Sequence, residues 1–238
     1  MSVAENVSSV QARIAAAARR SGRNPAGITL MAVSKTQSVE RMREAYAVGL
    51  RIFGENRVQE FAGKLASLQD LPDAEFHMIG HLQGNKAARA AELFGALDSV
   101  DSLKLADKLD AAARAAGKKL DVLIEINVGG ESAKSGIASD SPVLEELLIA
   151  APRFDALVFR GLMTVPPFSD DPEGARPHFR ELRKLRDAIA IRNLPKVNMH
   201  RLSMGMSHDL EVAIEEGSTC VRVGTAIFGP RRVRENPT

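Results

Sequence analysis

The 238-residue sequence contains one cysteine, no tryptophan, one tyrosine and little excess of either charge. Because Cys220 is the sole cysteine, no disulfide can form within the chain, and a reducing compartment such as the cytoplasm is expected. A formal net charge of +2 is too small to indicate a nucleic-acid surface. No apolar run approaches the roughly 18 residues that cross a bilayer. We therefore expect a cytoplasmic protein without nucleic-acid or membrane partners.

Two stretches concentrate positive charge, RELRKLRD at residues 180–187 and RRVR at residues 231–234. Such runs are most often solvated faces of helices or chain ends. We interpret both in this way. The first residues carry apolar side chains every three or four positions between 3 and 14, which predicts a helix rather than a secretory signal.

Short apolar segments alternate with amphipathic helical patterns along the whole chain. The segments lack polar alternation, as expected for parallel strands covered on both faces. About eight such units in this length are typical of a (β/α)8 barrel, often called a TIM barrel, of roughly 250 residues. We predict one barrel domain over residues 1–238 with an extra N-terminal helix. An open doubly wound sheet is the alternative. The predicted strands are residues 28–33, 51–54, 76–80, 96–100, 121–128, 159–165, 198–204 and 219–224.

Lys35 stands where the first predicted strand stops, in the stretch AVSKTQ. The carboxyl ends of barrel strands carry the active face. Partial burial there would lower the pKa of the amine and allow it to attack a carbonyl and form a Schiff base. The alternative is an ordinary surface or ion-paired lysine.

Small polar residues follow the seventh and eighth strands, in MGMSHD (204–209) and RVGTA (222–226). Barrels often bind phosphate at these two loops. Ser207 could cap the helix at Leu210 and contact phosphate, while Gly224 with Thr225 could let the backbone approach it. Plain capping and turn formation are the alternatives.

Arg222 shares a strand face with Gly224 and therefore points into the predicted barrel. A buried arginine needs a partner, for which a ligand ring nitrogen, a ligand carboxylate or an ion pair with Glu125 would serve. The histidines show no metal-ligand spacing, so no metal site is predicted.

A reactive lysine and a phosphate site in one barrel would together hold a phosphorylated aldehyde such as pyridoxal 5′-phosphate. The sequence also resembles the pyridoxal phosphate homeostasis proteins, also called proline synthetase co-transcribed homologues. The resemblance runs from about residue 29 to 231. It is carried by AVSKTQ, FGENRVQE, FHMIGHLQGNK, VDSLKLADKL, INVGGESAKSGI, RGLMTVPP and LSMGMSHDLEVAIEEGSTCVRVGTAIFG.

The resemblance implies the fold of the alanine racemase barrel domain without that enzyme's second domain. It implies that Lys35 forms the Schiff base, that Ser207, Gly224 and Thr225 hold the phosphate, and that Arg222 faces the pyridine nitrogen. The same family motifs contain three further residues expected to line the pocket, namely Asn56, His81 and Met204.

Efficient racemisation needs a base on each face of the substrate carbon, and alanine racemase takes one, a tyrosine, from its second domain. Here the one tyrosine, Tyr46, has the spacing of a packing residue. An arginine at the ring nitrogen also leaves that nitrogen unprotonated. The prediction is therefore a monomeric carrier that stores or delivers pyridoxal phosphate, with PLP-dependent apo-enzymes as possible recipients and no catalytic residue. The alternatives are a weak racemase or a Schiff-base aldolase acting on a phosphorylated sugar.

Overall fold

In the part of the chain that the structure describes, eight parallel strands form a closed barrel in chain order. The computed structural model describes residues 1–131 and 134–230. The RRVR cluster at 231–234 and residues 132–133 of the loop after the fifth strand lie outside this range. The strands are β1 Thr29–Val33, β2 Ile52–Glu55, β3 Glu75–Met78, β4 Ala96–Val100, β5 Leu120–Glu125, β6 Leu157–Met163, β7 Val197–Ser203 and β8 Cys220–Val223.

The first strand closes the barrel because it pairs with a neighbour on each side. Ala32 lies opposite Phe53 of β2, and Met31 lies opposite Arg222 of β8. An open sheet would leave two unpaired edges. The predicted (β/α)8 barrel is confirmed, and the open doubly wound alternative is wrong.

Helices cover the outside of the barrel. Ser2 and Glu5 form the capping box of the first helix, which packs against the second and the last two helices as the predicted additional element. Within the described part of the chain, no helix is both long and apolar enough to cross a membrane. The helices are α1 Val3–Arg20, α2 Val39–Ala47, α3 Val58–Leu65, α4 Ala87–Leu93, α5 Leu103–Ala115, α6 Pro142–Ala150, α7 Arg176–Ala190, α8 Leu210–Glu215 and α9 Thr225–Phe228.

Aromatic rings fill the space between the barrel wall and helices α3 and α4. The Phe61 ring lies 4.7 Å from the Phe76 ring and 4.8 Å from the Phe94 ring, centroid to centroid. All three side chains are buried. This cluster fixes α3 against the barrel. Helix α3 also carries Glu60 and Lys64, whose side chains contact the backbone beside Lys35.

The basic stretch 180–187 contributes ion pairs to a buried acid. Arg180 and Arg183 of α7 pair with the buried carboxylate of Glu216 at 2.9 and 3.2 Å. Arg176 reaches the same carboxylate at 3.1 Å. The stretch lies on α7 with its basic side chains exposed or half-exposed, as interpreted, and Arg180 and Arg183 in addition supply positive partners to this buried acid.

Candidate cofactor site

A cavity of about 470 Å³ opens at the carboxyl ends of the strands. Loops after β1, β2, β3, β5, β6, β7 and β8 contribute to its wall. Lys35, Ser207 and Gly224, which are far apart in the sequence, line it together. The cavity thus lies at the end of the barrel at which functional residues are expected.

Lys35 lies two residues after the end of β1 and is partly buried. It lines the main cavity and an adjoining hollow of about 30 Å³, which it shares with Gly224 and Thr225. The β1 and β8 strands are paired, so the two loops leave the barrel side by side. The partly buried location agrees with the sequence analysis, whereas the covalent role of the amine stays a prediction.

The residue after Lys35 has an unusual backbone. Thr36 has a φ of +64°, in the left-handed region that side chains branched at Cβ rarely occupy. Such a conformation costs of order 1–3 kcal/mol and persists only where neighbouring contacts hold it. Here the backbone N–H of Thr36 donates to Glu60 Oε1 at 2.6 Å.

Ser34, the residue before Lys35, is held by a side chain of α3, the helix that also carries Glu60. Lys64 Nζ donates to the carbonyl oxygen of Ser34 at 3.1 Å, to Glu55 Oε1 at 3.0 Å and to Glu60 Oε1 at 2.7 Å. The Lys64 side chain is only 12% exposed. Sequence analysis missed this group, although an acid and a lysine four residues apart on one helix, at 60 and 64, were a visible signal.

Glu55 lies at the end of β2 and is fully buried. Burial raises the pKa of its carboxyl group, and the charge and hydrogen bonds of Lys64, with a hydrogen bond from the Ser34 hydroxyl, oppose that shift. The Ser34 Oγ–Glu55 Oε1 distance is 2.8 Å. Glu55 Oε2 has no hydrogen-bond partner among the described residues.

Ser207 lines the cavity, but it does not cap α8 as expected. The residue before α8 is Asp209, whose carboxylate instead accepts from the backbone N–H of Met206 at 2.6 Å. Ser207 Oγ accepts from the backbone N–H of Ala226 at 3.2 Å. The hydroxyl therefore joins the β7 loop to the start of the segment after Gly224, which brings the two predicted phosphate loops into contact.

Gly224 lies against the strand that leads to Lys35. A Cβ atom at Gly224 would stand 3.4 Å from both the Cβ and the carbonyl oxygen of Val33. Thr225 begins α9 directly after it. A side chain at 224 would therefore point into the space between the lysine loop and the predicted phosphate loop.

Arg222 is 3% exposed and lines the floor of the cavity. Its guanidinium donates to the carbonyl oxygens of Ser203 and Thr164 at 2.6 and 2.7 Å, and to the Ser203 hydroxyl at 2.8 Å. The proposed alternative of an ion pair with Glu125 is wrong, because these bonds hold the guanidinium instead. Burial lowers the pKa of Arg222, and the charges of Cys220, Asp98, Glu125 and Asp209 oppose the shift.

Asn56 also lines the cavity, and its Oδ1 is buried without a hydrogen-bond partner among the described residues. The next loop packs closely on it, since a Cβ at Gly80 would lie 2.6 Å from the Asn56 carbonyl oxygen. Unpaired buried polar atoms are rare in folded proteins and call for an explanation. A ligand group in the cavity would provide one.

Two other predicted site residues lie elsewhere. His81 lines a separate cavity, and its side chain, which is 55% exposed, pairs through Nδ1 with Asp101 at 3.0 Å and does not face the cavity that Ile79 and Gly80 line. Met204 is fully buried as a member of the hydrophobic core cluster and is not among the residues that line the cavity. Met206 lines the cavity in its place.

Tyr46 lies on α2 and packs against the core, as its spacing predicted. The Arg51 guanidinium lies 4.0 Å from the centre of its ring. Tyr46 is not among the residues that line the cavity. Within residues 1–131 and 134–230, no group of three His, Cys, Asp or Glu side chains could hold a metal ion.

The sequence matches a family described as the alanine racemase N-terminal domain over residues 6–232. A pyridoxal phosphate homeostasis protein of Aquifex aeolicus is 44% identical over 232 residues, which cover 98% of this chain and 100% of that protein. The protein of the same name from Pseudomonas aeruginosa is 46% identical, with 96% of each chain covered. The chain belongs to the alanine racemase N-terminal domain family, within its group of pyridoxal phosphate homeostasis proteins.

Solved structures agree with this assignment. PipY of Synechococcus elongatus, solved with PLP bound, is 35% identical with a TM-score of 0.83, and the match covers 95% of this chain and 100% of PipY. An alanine racemase of Clostridium difficile is 14% identical with a TM-score of 0.76. The match covers 98% of this chain but 58% of the racemase, and it shows a shared fold only.

Proposed function

We propose that this protein binds pyridoxal 5′-phosphate and takes part in its homeostasis by storing or delivering it. One observation carries the proposal: the loops after β1, β7 and β8 bring Lys35, Ser207 and Thr225 to a single cavity of about 470 Å³. The names of the relatives and the PLP bound to PipY support it.

The residues at the cavity suit this cofactor. Pyridoxal phosphate carries an aldehyde, a phosphate, a ring nitrogen and a ring hydroxyl, and each needs a polar partner. An amine, a hydroxyl and a guanidinium line the cavity at Lys35, Ser207 and Arg222. The unpaired Oδ1 of Asn56 marks a further position at which a ligand donor would remove the cost of an unsatisfied buried atom.

We assign each residue one task. Lys35 forms the Schiff base, Ser207 with Gly224 and Thr225 holds the phosphate, and Arg222 faces the ring nitrogen. The bound cofactor supplies an aldehyde that condenses reversibly with primary amines, with loss of water. Three carbonyl and hydroxyl acceptors hold the Arg222 guanidinium in a fixed orientation toward the cavity.

We propose that the protein is a carrier and not an efficient enzyme. Guanidinium does not readily give up a proton, so Arg222 keeps the ring nitrogen unprotonated and weakens the cofactor as an electron acceptor. Tyr46, the one tyrosine, packs beneath Arg51 on α2 and is no candidate for a second base. PLP-dependent apo-enzymes are the proposed recipients, with the protein acting as a monomer in the cytoplasm.

Spectroscopy tests the proposal. Purified protein is titrated with pyridoxal phosphate, and the visible absorbance of the lysine adduct is followed in the native protein, in Lys35→Ala and in Lys108→Ala. Lys108 is a matched control, because it lines the separate His81 cavity. We expect the absorbance to disappear only in Lys35→Ala. A native protein that takes up no cofactor contradicts the proposal.

A weak racemase is the second candidate, supported by the match to the alanine racemase N-terminal domain family. Its test is the turnover of alanine by the loaded protein. We expect a rate far below roughly 1 per second, the low end of ordinary enzymes. A rate at or above that value would replace the carrier proposal with an enzymatic one.

A further inference from the structure

We propose that Glu60 and Lys64 of α3 are positioning residues that aim Lys35 into the cavity. Together they bond to the peptide groups on both sides of Lys35. The inference rests on the proposed function, because it explains how the covalent lysine of that function is oriented. Neither side chain is among those lining the cavity, so both act through the backbone of residues 34–36.

The contacts of Glu60 and Lys64 with the backbone form one connected network. Lys64 Nζ donates to the Ser34 carbonyl oxygen at 3.1 Å, and Glu60 Oε1 accepts from the Thr36 N–H at 2.6 Å. Lys64 and Glu60 are themselves 2.7 Å apart, as an ion pair one turn apart on the helix. One ion pair therefore holds the backbone just before and just after Lys35.

The Glu60–Lys64 ion pair is anchored to buried parts of the barrel. A third bond of 3.0 Å ties Lys64 to Glu55, which is fully buried at the end of β2. Phe61, one residue after Glu60, packs α3 against the barrel. These contacts restrict the side chains of Glu60 and Lys64. Through them they restrict the backbone of residues 34–36.

The strained conformation of Thr36 shows why the loop needs to be held. A φ of +64° is unfavourable for threonine, so without the Glu60 bond the peptide after Lys35 relaxes toward ordinary angles. That relaxation rotates the backbone beside Lys35 and moves its side chain away from the cavity. Preorganised groups bind more tightly because less ordering is left to be done on binding.

Two substitutions at one position separate the hydrogen bond from the charge. Glu60→Ala removes the acceptor of the Thr36 N–H, and Glu60→Gln keeps an amide oxygen there. We expect Glu60→Ala to weaken cofactor binding about tenfold and to speed amide hydrogen exchange at Thr36 in the cofactor-free protein. Glu60→Gln is expected to restore most of both properties. Glu145→Gln is the control, since it removes an exposed ion pair with Arg192 that is distant from Glu60 in the sequence.

A substitution at Thr36 tests the mechanism. Glycine adopts positive φ without strain. In a Thr36→Gly background, Glu60→Ala should therefore weaken binding only about twofold, which would show that the two residues are coupled. A purely structural ion pair predicts the same tenfold loss in both backgrounds.

The possible results distinguish this inference from the proposed function. A native protein that binds no cofactor at Lys35 overturns the proposed function, and the hydrogen exchange of Thr36 still tests the contacts. If native protein and Glu60→Ala bind equally well, or if exchange at Thr36 is the same in both, the positioning role is wrong while the cofactor site stands. The stability of Glu60→Ala is measured in parallel. If this variant unfolds, Glu60→Gln is used in its place, and slow amide exchange at Thr36 in Glu60→Gln is then the result that the positioning role requires.

Discussion

The two ends of the barrel interior treat polar side chains differently. At the amino ends of the strands, a cavity of about 200 Å³ is lined by His77, Asp98 and Arg201, and these groups are paired. His77 Nδ1 lies 3.1 Å from Asp98 Oδ1, and Arg201 lies 3.4 Å from Asp121. At the carboxyl ends the cavity is about 470 Å³, and Asn56 Oδ1 in its wall has no hydrogen-bond partner among the described residues. The buried Oε2 atoms of Glu55 and Glu125 also lack a partner there, although neither residue lines the cavity.

From this difference we infer that the polar groups at the amino end contribute mainly to stability and those at the carboxyl end mainly to binding. A paired buried charge contributes to the folded state, and removal of one partner is costly. An unpaired buried oxygen costs stability in the free protein, and that cost falls when a ligand supplies a donor. We therefore expect substitutions at the amino end to change folding and substitutions at the carboxyl end to change cofactor binding.

The largest expected effect is at the amino end, in Asp98→Asn. Burial lowers the pKa of His77, but the charge and hydrogen bond of Asp98, with Glu75, outweigh it and raise the pKa to about 9. The unfolded value is 6.5, so the pair stabilises the fold fully below pH 6.5 and loses this contribution as the pH rises through 9. We expect Asp98→Asn to lower the free energy of unfolding at pH 6 by about 3 kcal/mol.

The measurement is denaturant unfolding of both proteins between pH 6 and pH 9.5. The difference between them should shrink over this range, because the native protein alone loses the pair. Cofactor affinity should change less than twofold. A large loss of affinity with little change in unfolding would break the comparison of the two ends.

A smaller effect is expected at the carboxyl end, in Ser207→Ala. If the hydroxyl contacts the phosphate, cofactor binding weakens by about 1–3 kcal/mol, because a hydrogen bond to a charged group is lost. Unfolding of the cofactor-free protein should change little. Ser139→Ala is the matched control, since its hydroxyl donates to Glu181 at 2.7 Å, away from the cavity. Equal affinities in the native protein and Ser207→Ala would remove Ser207 from the phosphate site.

The smallest effect is expected for His81→Ala. The imidazole is 55% exposed and pairs with Asp101 outside the cofactor cavity. An exposed pair of this kind contributes at most about 1 kcal/mol. We expect less than a twofold change in cofactor affinity by fluorescence titration. A tenfold loss would return His81 to the site that its sequence motif suggested.

The residues that were located correctly lie on the strands or within a few positions of their carboxyl ends. Lys35 and Arg222 follow from strand order, because the carboxyl end of a strand and the inward face of alternate residues are fixed by geometry. His81 and Met204 were misplaced, because a motif does not say where the chain turns out of a strand. Met204 shows this most clearly, since a shift of two residues along the chain separates it from Met206 at the cavity.

The support beneath Lys35 was not predicted for a different reason. A positive φ at Thr36 contradicts the preference of its own side chain and results from tertiary contacts with α3. The bond from Lys64 to the Ser34 carbonyl likewise joins residues 30 positions apart. Local sequence preferences contain no record of such contacts, although the acidic and basic pair on α3 was visible.

We propose that Lys35, at the carboxyl end of the barrel, is the covalent attachment point of the cofactor. The most direct measurement is borohydride reduction of the protein after loading with pyridoxal phosphate, followed by peptide mass spectrometry. We expect one reduced adduct, on Lys35. An adduct mainly on another lysine, with Lys35 unmodified, would contradict it.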